Sequence, residues 1–269
     1  MVRRNIYDIL NSGNVDLKRE YLRFKFLFFD DKFLLGYEQS TLAELVDKRF
    51  CCFDKRLIKR CVSLMDFDDT YGYKFEDEPS NFDLEYLLNF LEYTLNFCFQ
   101  IKNMISNILF DKILLDYIDR VNDCLDELGF ETFEKEGITI IVEKNSAALS
   151  VAEIVEPVLS YKILEYNHHR LKGDLLAKKS ILKLMADDLE PHQRRLQEIN
   201  ASLKSDLFQL MNKFIRHNNN DNKFIKTLND IQTEEIYDNI YQMWLLAKME
   251  LEQADRNDGI KSLIRDVNA

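Results

Sequence analysis

The residues best suited to chemistry form the run Arg216-His217-Asn218-Asn219-Asn220, at the end of a predicted apolar helix. An arginine can bind phosphate and stabilise the charge of a phosphoryl transition state. A histidine can move protons near neutral pH, and asparagine amides can hold a ribose hydroxyl or a phosphate oxygen. The same residues also suit a helix end, because cations complement the helix dipole and asparagine tolerates a left-handed cap. Their spacing by itself favours the cap.

A second polar cluster lies upstream and contains His169, Arg170 and Lys172. One interpretation is that these side chains line a phosphate-binding surface beside Arg216. The alternative is a solvated helix end, for which Gly173 supplies the left-handed cap residue. A helix cap needs only common residue types, so the spacing favours the solvated helix end over a phosphate-binding surface.

The sequence lacks the spacing of a metal or cofactor site. His168 and His169 are adjacent, so their side chains would point about 100° apart on a helix and would not share one metal ion. The five cysteines include no Cys-x-x-Cys pair, and no glycine-rich phosphate loop is present. We therefore expect neither a metal nor a cofactor.

Composition predicts which elements position these residues. Of the 269 residues, 46% are hydrophobic, and only seven are glycine and three proline. Scarce turn residues favour long helices, so we predict a mainly α fold, a helical bundle with one small β-hairpin around residues 130–143. The net charge of −11 argues against a general nucleic-acid binder, although residues 159–195 are locally basic.

Local sequence patterns also indicate where helices begin and where the chain divides into domains. Thr41–Glu44 and Ser150–Glu153 both have the pattern of a capping box. We predict an acidic loop from Asp66 to Pro79 and a domain boundary there. Residues 1–80 would then be an N-terminal helical region of unknown role, and residues 81–269 a helical domain. The last predicted helix runs from Thr233 to about Asp255, followed by a frayed polar end.

Two features predict the compartment. An odd number of cysteines in apolar surroundings does not indicate a disulfide framework, which fits a reducing, cytoplasmic environment. The most apolar stretch, Tyr86 to Phe110, is interrupted by polar and charged residues and does not have the pattern of a membrane span.

Three segments of the C-terminal half have a recognisable pattern: Leu164–Asp174, Asp206–Asn219 and Glu235–Trp244. In these segments the chain resembles the HEPN (higher eukaryotes and prokaryotes nucleotide-binding) superfamily, in the branch found with bacterial abortive-infection proteins. The resemblance extends over roughly residues 81–255.

The resemblance implies a small helical bundle, commonly a homodimer, and in many members a metal-independent ribonuclease of toxin–antitoxin, abortive-infection or phage-defence systems. The family motif is an arginine, a polar residue and a later histidine. Arg216-His217 matches its beginning, but Asp221, Asn222 and Lys223 occupy the positions of the later histidine.

These considerations leave three hypotheses open. The first is a metal-independent endoribonuclease in which Arg216 stabilises phosphate charge, His217 is the base or acid, and Asn218 and Asn219 orient the RNA. The second is a non-catalytic module that binds a nucleotide, an antitoxin or another defence-system protein. The third is a helical module whose acidic loop around residues 66–78 docks a basic partner.

Overall fold

The computed structural model describes residues 15–76, 79, 82–102, 104–105, 107–135, 137–216 and 227–268. The fold is mainly α, as predicted from composition. The chain forms two compact units, Met1–Lys144 and Asn145–Ala269. This division differs from the boundary that we predicted after residue 80.

The N-terminal unit contains most of the short elements. In chain order they are α1 (Leu17–Lys25), a π-helical turn (Phe26–Asp30), β1 (Phe33–Leu35), β2 (Glu38–Ser40), α2 (Leu42–Arg49), a 3-10 turn (Phe50–Cys52), α3 (Lys55–Ile58), α4 (Leu64–Tyr71), α5 (Leu84–Lys102), α6 (Ile108–Leu128), β3 (Phe130–Lys135) and β4 (Ile138–Glu143).

Local signals in this unit were partly predictive. Thr41 and Glu44 form the predicted capping box, and Gly129 ends α6 in the left-handed conformation with φ of 82°. The predicted hairpin is confirmed, with β3 and β4 paired antiparallel. The small β1–β2 hairpin was not predicted.

The predicted acidic loop is wrong in its first half, because α4 occupies Leu64–Tyr71. The side chain of Ser63 accepts a hydrogen bond from the backbone N–H of Asp66 and starts this helix. Gly72, with φ of 74°, ends it. The residues before α4 form only the short α3, Lys55–Ile58.

A continuous aromatic core explains why the chain does not divide near residue 80. Phe67 on α4 contacts Phe97 on α5, with ring centroids 5.4 Å apart. Tyr21 on α1 contacts Phe90 on α5 at 5.1 Å. The elements before residue 80 therefore share one hydrophobic core with α5 and α6.

Three side chains of α5 cover one edge of β4 at intervals of about one helical turn: Glu92, Asn96 and Gln100. Glu92 Oε2 accepts from the N–H of Ile141 at 2.9 Å. The Asn96 amide bonds to both the carbonyl (2.7 Å) and the N–H (2.8 Å) of Thr139. Gln100 Nε2 donates to the carbonyl of Gly137 at 3.3 Å. These bonds satisfy backbone groups at alternate residues of a strand edge.

The helices and turns of the C-terminal unit include no β-strand within its described residues. Its elements are α7 (Ser146–Ala152), α8 (Pro157–Glu165), a 3-10 turn (His169–Leu171), α9 (Leu175–Leu189), a 3-10 turn (Glu190–His192), α10 (Gln193–Ile199), α11 (Ala201–Leu210), a π-helical turn (Met211–Arg216) and α12 (Asp230–Val267).

Two predictions in this unit are wrong. Ser150 does not cap a helix but lies inside α7, whose cap is Asn145. The polar chain end is not frayed in the structure, because α12 continues to Val267.

No described helix is both long enough and apolar enough to cross a lipid bilayer.

Candidate functional site

Arg216 ends the π-helical turn that follows α11, and its guanidinium reaches the C-terminal end of α9. Nη2 donates to the carbonyl oxygen of Ala186 at 2.8 Å and lies 3.8 Å from Oδ1 of Asp187. Nη1 pairs with the carboxylate of Glu190. The side chain is only 21% exposed. Arg216 thus binds a helix end and two carboxylates of its own chain.

The charge distribution at this helix end explains the arrangement. Asp187, Asp188 and Glu190 lie at the end of α9, where the negative end of the helix dipole disfavours further negative charge. Arg216 pairs with two of these carboxylates, and Lys248 of α12 pairs with Asp188 at 3.0 Å. Arg216 and Lys248 therefore both reduce the repulsion among the carboxylates at the C-terminal end of α9.

An indole completes this cluster. Trp244 of α12 is fully buried and donates from Nε1 to the carbonyl oxygen of Met185 at 2.7 Å. The ammonium of Lys248 lies 5.7 Å from the centroid of the Trp244 ring, within range of a cation–π contact. The end of α9 is thus held by Arg216 of the π-helical turn and by Trp244 and Lys248 of α12.

The predicted residues that follow Arg216 lie outside the described residues. These are the proposed acid or base His217 and the proposed substrate-orienting side chains Asn218 and Asn219.

His169, Arg170 and Lys172 lie in the connection between α8 and α9, at the N-terminal end of α9. His169 and Arg170 belong to the 3-10 turn, and Arg170 and Lys172 are exposed. The connection is fixed to α12, because the N–H of Gly173 donates to the carboxylate of Glu234 at 2.8 Å. Gly173 has φ of 82°, as its predicted role at a turn requires.

The structure does not bring the two predicted clusters together. Arg216 contacts Ala186, whereas the connection with Lys172 ends at Asp174, the N-cap of α9. Twelve residues of α-helix separate these two points, a rise of about 18 Å. A phosphate-binding surface that combines both clusters would have to extend along the length of α9.

Sequence reasoning missed a buried lysine that is central to this unit. Lys178 of α9 is 7% exposed, and its ammonium lies 2.8 Å from carboxylate oxygens of both Glu234 and Asp238 on α12. It also lies 5.1 Å from the centroid of the Tyr166 ring. The available signal was a lysine within the apolar stripe that continues through Ile181 and Leu182.

Two stacked tyrosines extend this network. The rings of Tyr166 and Tyr241 are nearly parallel, with centroids 4.1 Å apart. The hydroxyl of Tyr166 donates to Asp238 at 2.8 Å, and that of Tyr241 donates to the carbonyl of Ile163 at 2.8 Å. The amide of Asn167 donates to the Tyr241 hydroxyl at 2.7 Å.

The electrostatics of this network favour a structural role. Burial raises the pKa of both Tyr166 and Tyr241, so both hydroxyls stay protonated at neutral pH. Burial would also raise the pKa of Glu234, but hydrogen bonds from Gly173 and Lys178 outweigh it and hold that pKa below its ordinary value. Neutral phenols and a lysine between two carboxylates supply no evident nucleophile or base.

The clefts described in the N-terminal unit are small and charged. One of about 210 Å³ is bordered by Glu20, Arg23, Arg120 and Asp123. This volume is below that of typical pockets for small molecules, which start at about 300 Å³. The cleft does not add a second candidate site.

Comparison of the chain with protein-family models, with curated proteins and with solved structures found no match.

Proposed function

We propose that the C-terminal unit is a HEPN-like helical module of bacterial defence that acts by binding a partner protein and does not cut RNA. One observation carries this proposal: the guanidinium of Arg216 is bound to Ala186, Asp187 and Glu190 of its own unit. A phosphate would have to displace two carboxylates to reach it. The expected partner is a second copy, an antitoxin or another protein of the same defence system.

Two features of the sequence support binding over cleavage. Asp221, Asn222 and Lys223 stand where the resembled motif has its second histidine, so the second proton-transfer group is missing. The net charge of −11 also disfavours the long-range attraction that RNA-binding proteins use.

The second candidate is a metal-independent endoribonuclease. The observation that favours it is the solvent exposure of the two carboxylates, 63% for the side chain of Asp187 and 47% for that of Glu190. An exposed ion pair exchanges readily with water, and therefore also with a phosphate. In this mechanism a base removes the proton of the ribose 2′-hydroxyl, and that oxygen attacks the adjacent phosphorus. A 2′,3′-cyclic phosphate forms as the bond from phosphorus to the 5′-oxygen breaks, and the departing 5′-oxygen takes up a proton from the protonated base or from water.

The residues would then have distinct roles in the reaction. Arg216 would stabilise the charge that develops on the phosphate, and His217 would transfer the proton. Asn218 and Asn219 would orient the ribose. Arg170 and Lys172, at the other end of α9, would contact a different part of the RNA, whereas both ring nitrogens of the neighbouring His169 are buried, which disfavours the predicted role of that residue.

A cleavage assay separates the two candidates. Full-length protein is incubated with tRNA and mRNA in the presence of a chelator, as wild type, Arg216→Ala and Arg216→Lys. Lys248→Ala is the matched control, because it removes a cation from the same end of α9 without touching the motif. We expect intact RNA with every protein.

The binding proposal is lost if substoichiometric wild-type protein shortens the RNA, both Arg216 variants stop the cleavage, and Lys248→Ala still cleaves. A growth assay on induction supplies the complementary readout. If the protein acts by binding, Arg216→Lys should retain any effect on growth, because a lysine keeps the positive charge beside Asp187 and Glu190.

A further inference from the structure

The 3-10 turn Phe50–Cys52 presents two adjacent thiols to solvent. Cys51 and Cys52 are both exposed, and their Sγ atoms are 3.9 Å apart. Neighbouring side chains of a 3-10 helix point about 120° apart, because the helix has three residues per turn. Contact between the two sulfurs therefore requires both side chains to turn toward each other. We call these two residues the thiol pair.

The backbone of the thiol pair is held on both sides. Phe50 and Phe53 are buried, and both pack against Phe97 of α5, with ring centroids 5.8 Å and 6.0 Å away. The N–H of Phe53 donates to the carbonyl oxygen of Phe50 at 3.1 Å, across the thiol pair. The N–H of Asp54 donates to Oε1 of Gln100 on α5, also at 3.1 Å. The turn thus presents both sulfurs from a fixed backbone.

This backbone opposes a disulfide within the thiol pair. The Cα atoms of disulfide-bonded cysteines are usually at least about 4.4 Å apart. The Cα atoms of adjacent residues lie about 3.8 Å apart across a trans peptide bond. Closing a disulfide would therefore strain the turn that Phe50 and Phe53 anchor, and strained disulfides are readily reduced. We expect both thiols to stay reduced in a reducing environment.

A larger atom that bonds to both sulfurs fits their separation better. Two sulfurs at about 2.3 Å from one tetrahedral centre lie about 3.8 Å apart, close to the 3.9 Å of the thiol pair. A metal ion of this geometry takes four ligands. Among the residues that the structure describes, no His, Asp, Glu or other Cys joins the thiol pair in a set of three ligands. The best ligand is therefore one that needs only two sulfurs.

We propose that the thiol pair is a binding site for monosubstituted arsenic(III) compounds, in which arsenic carries one carbon group and two exchangeable hydroxyls. Sulfur is a soft donor and prefers soft, polarisable centres. The carbon group stays on arsenic, so two sulfurs complete its three bonds. Each sulfur replaces one hydroxyl, and the thiol proton leaves with that hydroxyl as water. Two As–S bonds form, two As–O bonds break, and no atom changes its oxidation state.

The other three cysteines are poorly placed to compete. Cys61, Cys98 and Cys124 are all buried. Burial raises the pKa of Cys98 well above its ordinary value and that of Cys124 to about 12, so neither thiol ionises readily. A hydrogen bond with Cys51 raises the pKa of Cys52, so Cys52 reacts as a thiol whose proton the arsenical displaces.

The first experiment adds phenylarsine oxide to the reduced full-length protein in the presence of glutathione, a monothiol. Intact-mass spectrometry counts the bound phenylarsenic groups. We expect one group per chain for wild type, which the dithiol 2,3-dimercaptopropanol removes. Cys51→Ser and Cys52→Ser should each lose the group, because a single protein sulfur holds arsenic no better than glutathione does.

The second experiment separates the turn from mere adjacency. In a Cys51→Ser, Cys52→Ser background, the matched control carries a new adjacent pair on α6, Asp111→Cys with Lys112→Cys, at two exposed positions of the same unit. The fixed turn reduces the ordering cost of binding. The native thiol pair should therefore withstand about tenfold or more glutathione than the transplanted pair before it releases arsenic.

No adduct on the wild-type protein overturns the proposal, as does an adduct that persists in Cys51→Ser or Cys52→Ser. Equal resistance of the native and transplanted pairs would mean that adjacency alone binds arsenic, and the turn would not be a built site. These outcomes are independent of the RNA assay, because the thiol pair belongs to the N-terminal unit, whereas the proposed function concerns the C-terminal unit.

Discussion

The guanidinium of Arg216 donates to a carbonyl oxygen and forms ion pairs with two carboxylates, so its removal leaves the end of α9 without a hydrogen-bond donor and without a compensating positive charge. We predict that Arg216→Ala lowers the free energy of unfolding by about 1–3 kcal/mol, because charged hydrogen bonds at a partly buried site are lost. Arg216→Lys should cost less, since it keeps the charge. Urea denaturation followed by circular dichroism measures both.

Lys248→Ala provides the comparison, since Lys248 pairs with Asp188 at the same helix end and its side chain is 12% exposed. A similar loss of stability is expected. If Arg216→Ala were as stable as wild type, the ion pairs of Arg216 would have no structural importance, and the argument for a non-catalytic protein would lose its basis.

Asp68 gives the N-terminal unit a pH dependence. Burial raises the pKa of this carboxyl to about 6, and the nearby Asp69 adds to the shift, although a hydrogen bond from Tyr93 opposes it. The folded state thus binds the proton more tightly than the unfolded state, whose pKa is near 3.8. The resulting stabilisation is fully present below pH 3.8 and is lost as the pH rises through about 6.

Asp68→Asn should remove this dependence, because asparagine still accepts from Tyr93 but does not titrate. Above pH 7 we expect the variant to be more stable than wild type by about 1–2 kcal/mol, a value reduced for solvent screening. Thermal denaturation of both proteins between pH 4 and pH 8 provides the test. A constant difference across this range would contradict the assigned titration.

At the scale of elements, the contact between α5 and β4 depends on buried amide chemistry. Asn96 is 7% exposed and serves both backbone groups of Thr139. Asn96→Ala leaves a buried N–H and a buried carbonyl unsatisfied, which should cost about 2–4 kcal/mol. Chemical denaturation measures the loss, and amide hydrogen exchange at Thr139 should accelerate.

Gln100→Ala is the graded control on the same helix. Its bond to Gly137 is longer, at 3.3 Å, and only partly buried, so the expected loss is smaller. Equal losses for the two variants would mean that burial of the backbone groups does not determine the energy of this contact.

Structural features that depend on residues close together in the sequence could be predicted, whereas contacts between distant segments could not. The capping box at Thr41 and the hairpin depend on residues a few positions apart. The helix start predicted at Ser150 was wrong, because Asn145 caps the same helix five residues earlier.

The same limit applied to the candidate site. Arg216 was recognised as a helix-end cation, but its partners lie on α9, about thirty positions earlier. Lys178 looked like one more basic residue, because its carboxylate partners Glu234 and Asp238 lie on α12. A single sequence does not indicate which distant charges a fold brings together.

At the scale of the whole molecule, the division at residue 144 predicts which fragments fold. Residues 145–269 should give a helical, cooperatively melting protein, because Trp244, Leu182 and Leu207 are buried within that unit. Residues 81–269 should aggregate, since α5 would lose the aromatic partners supplied by α1 and α4. Solubility and circular dichroism test both; a well-folded 81–269 fragment would contradict this division.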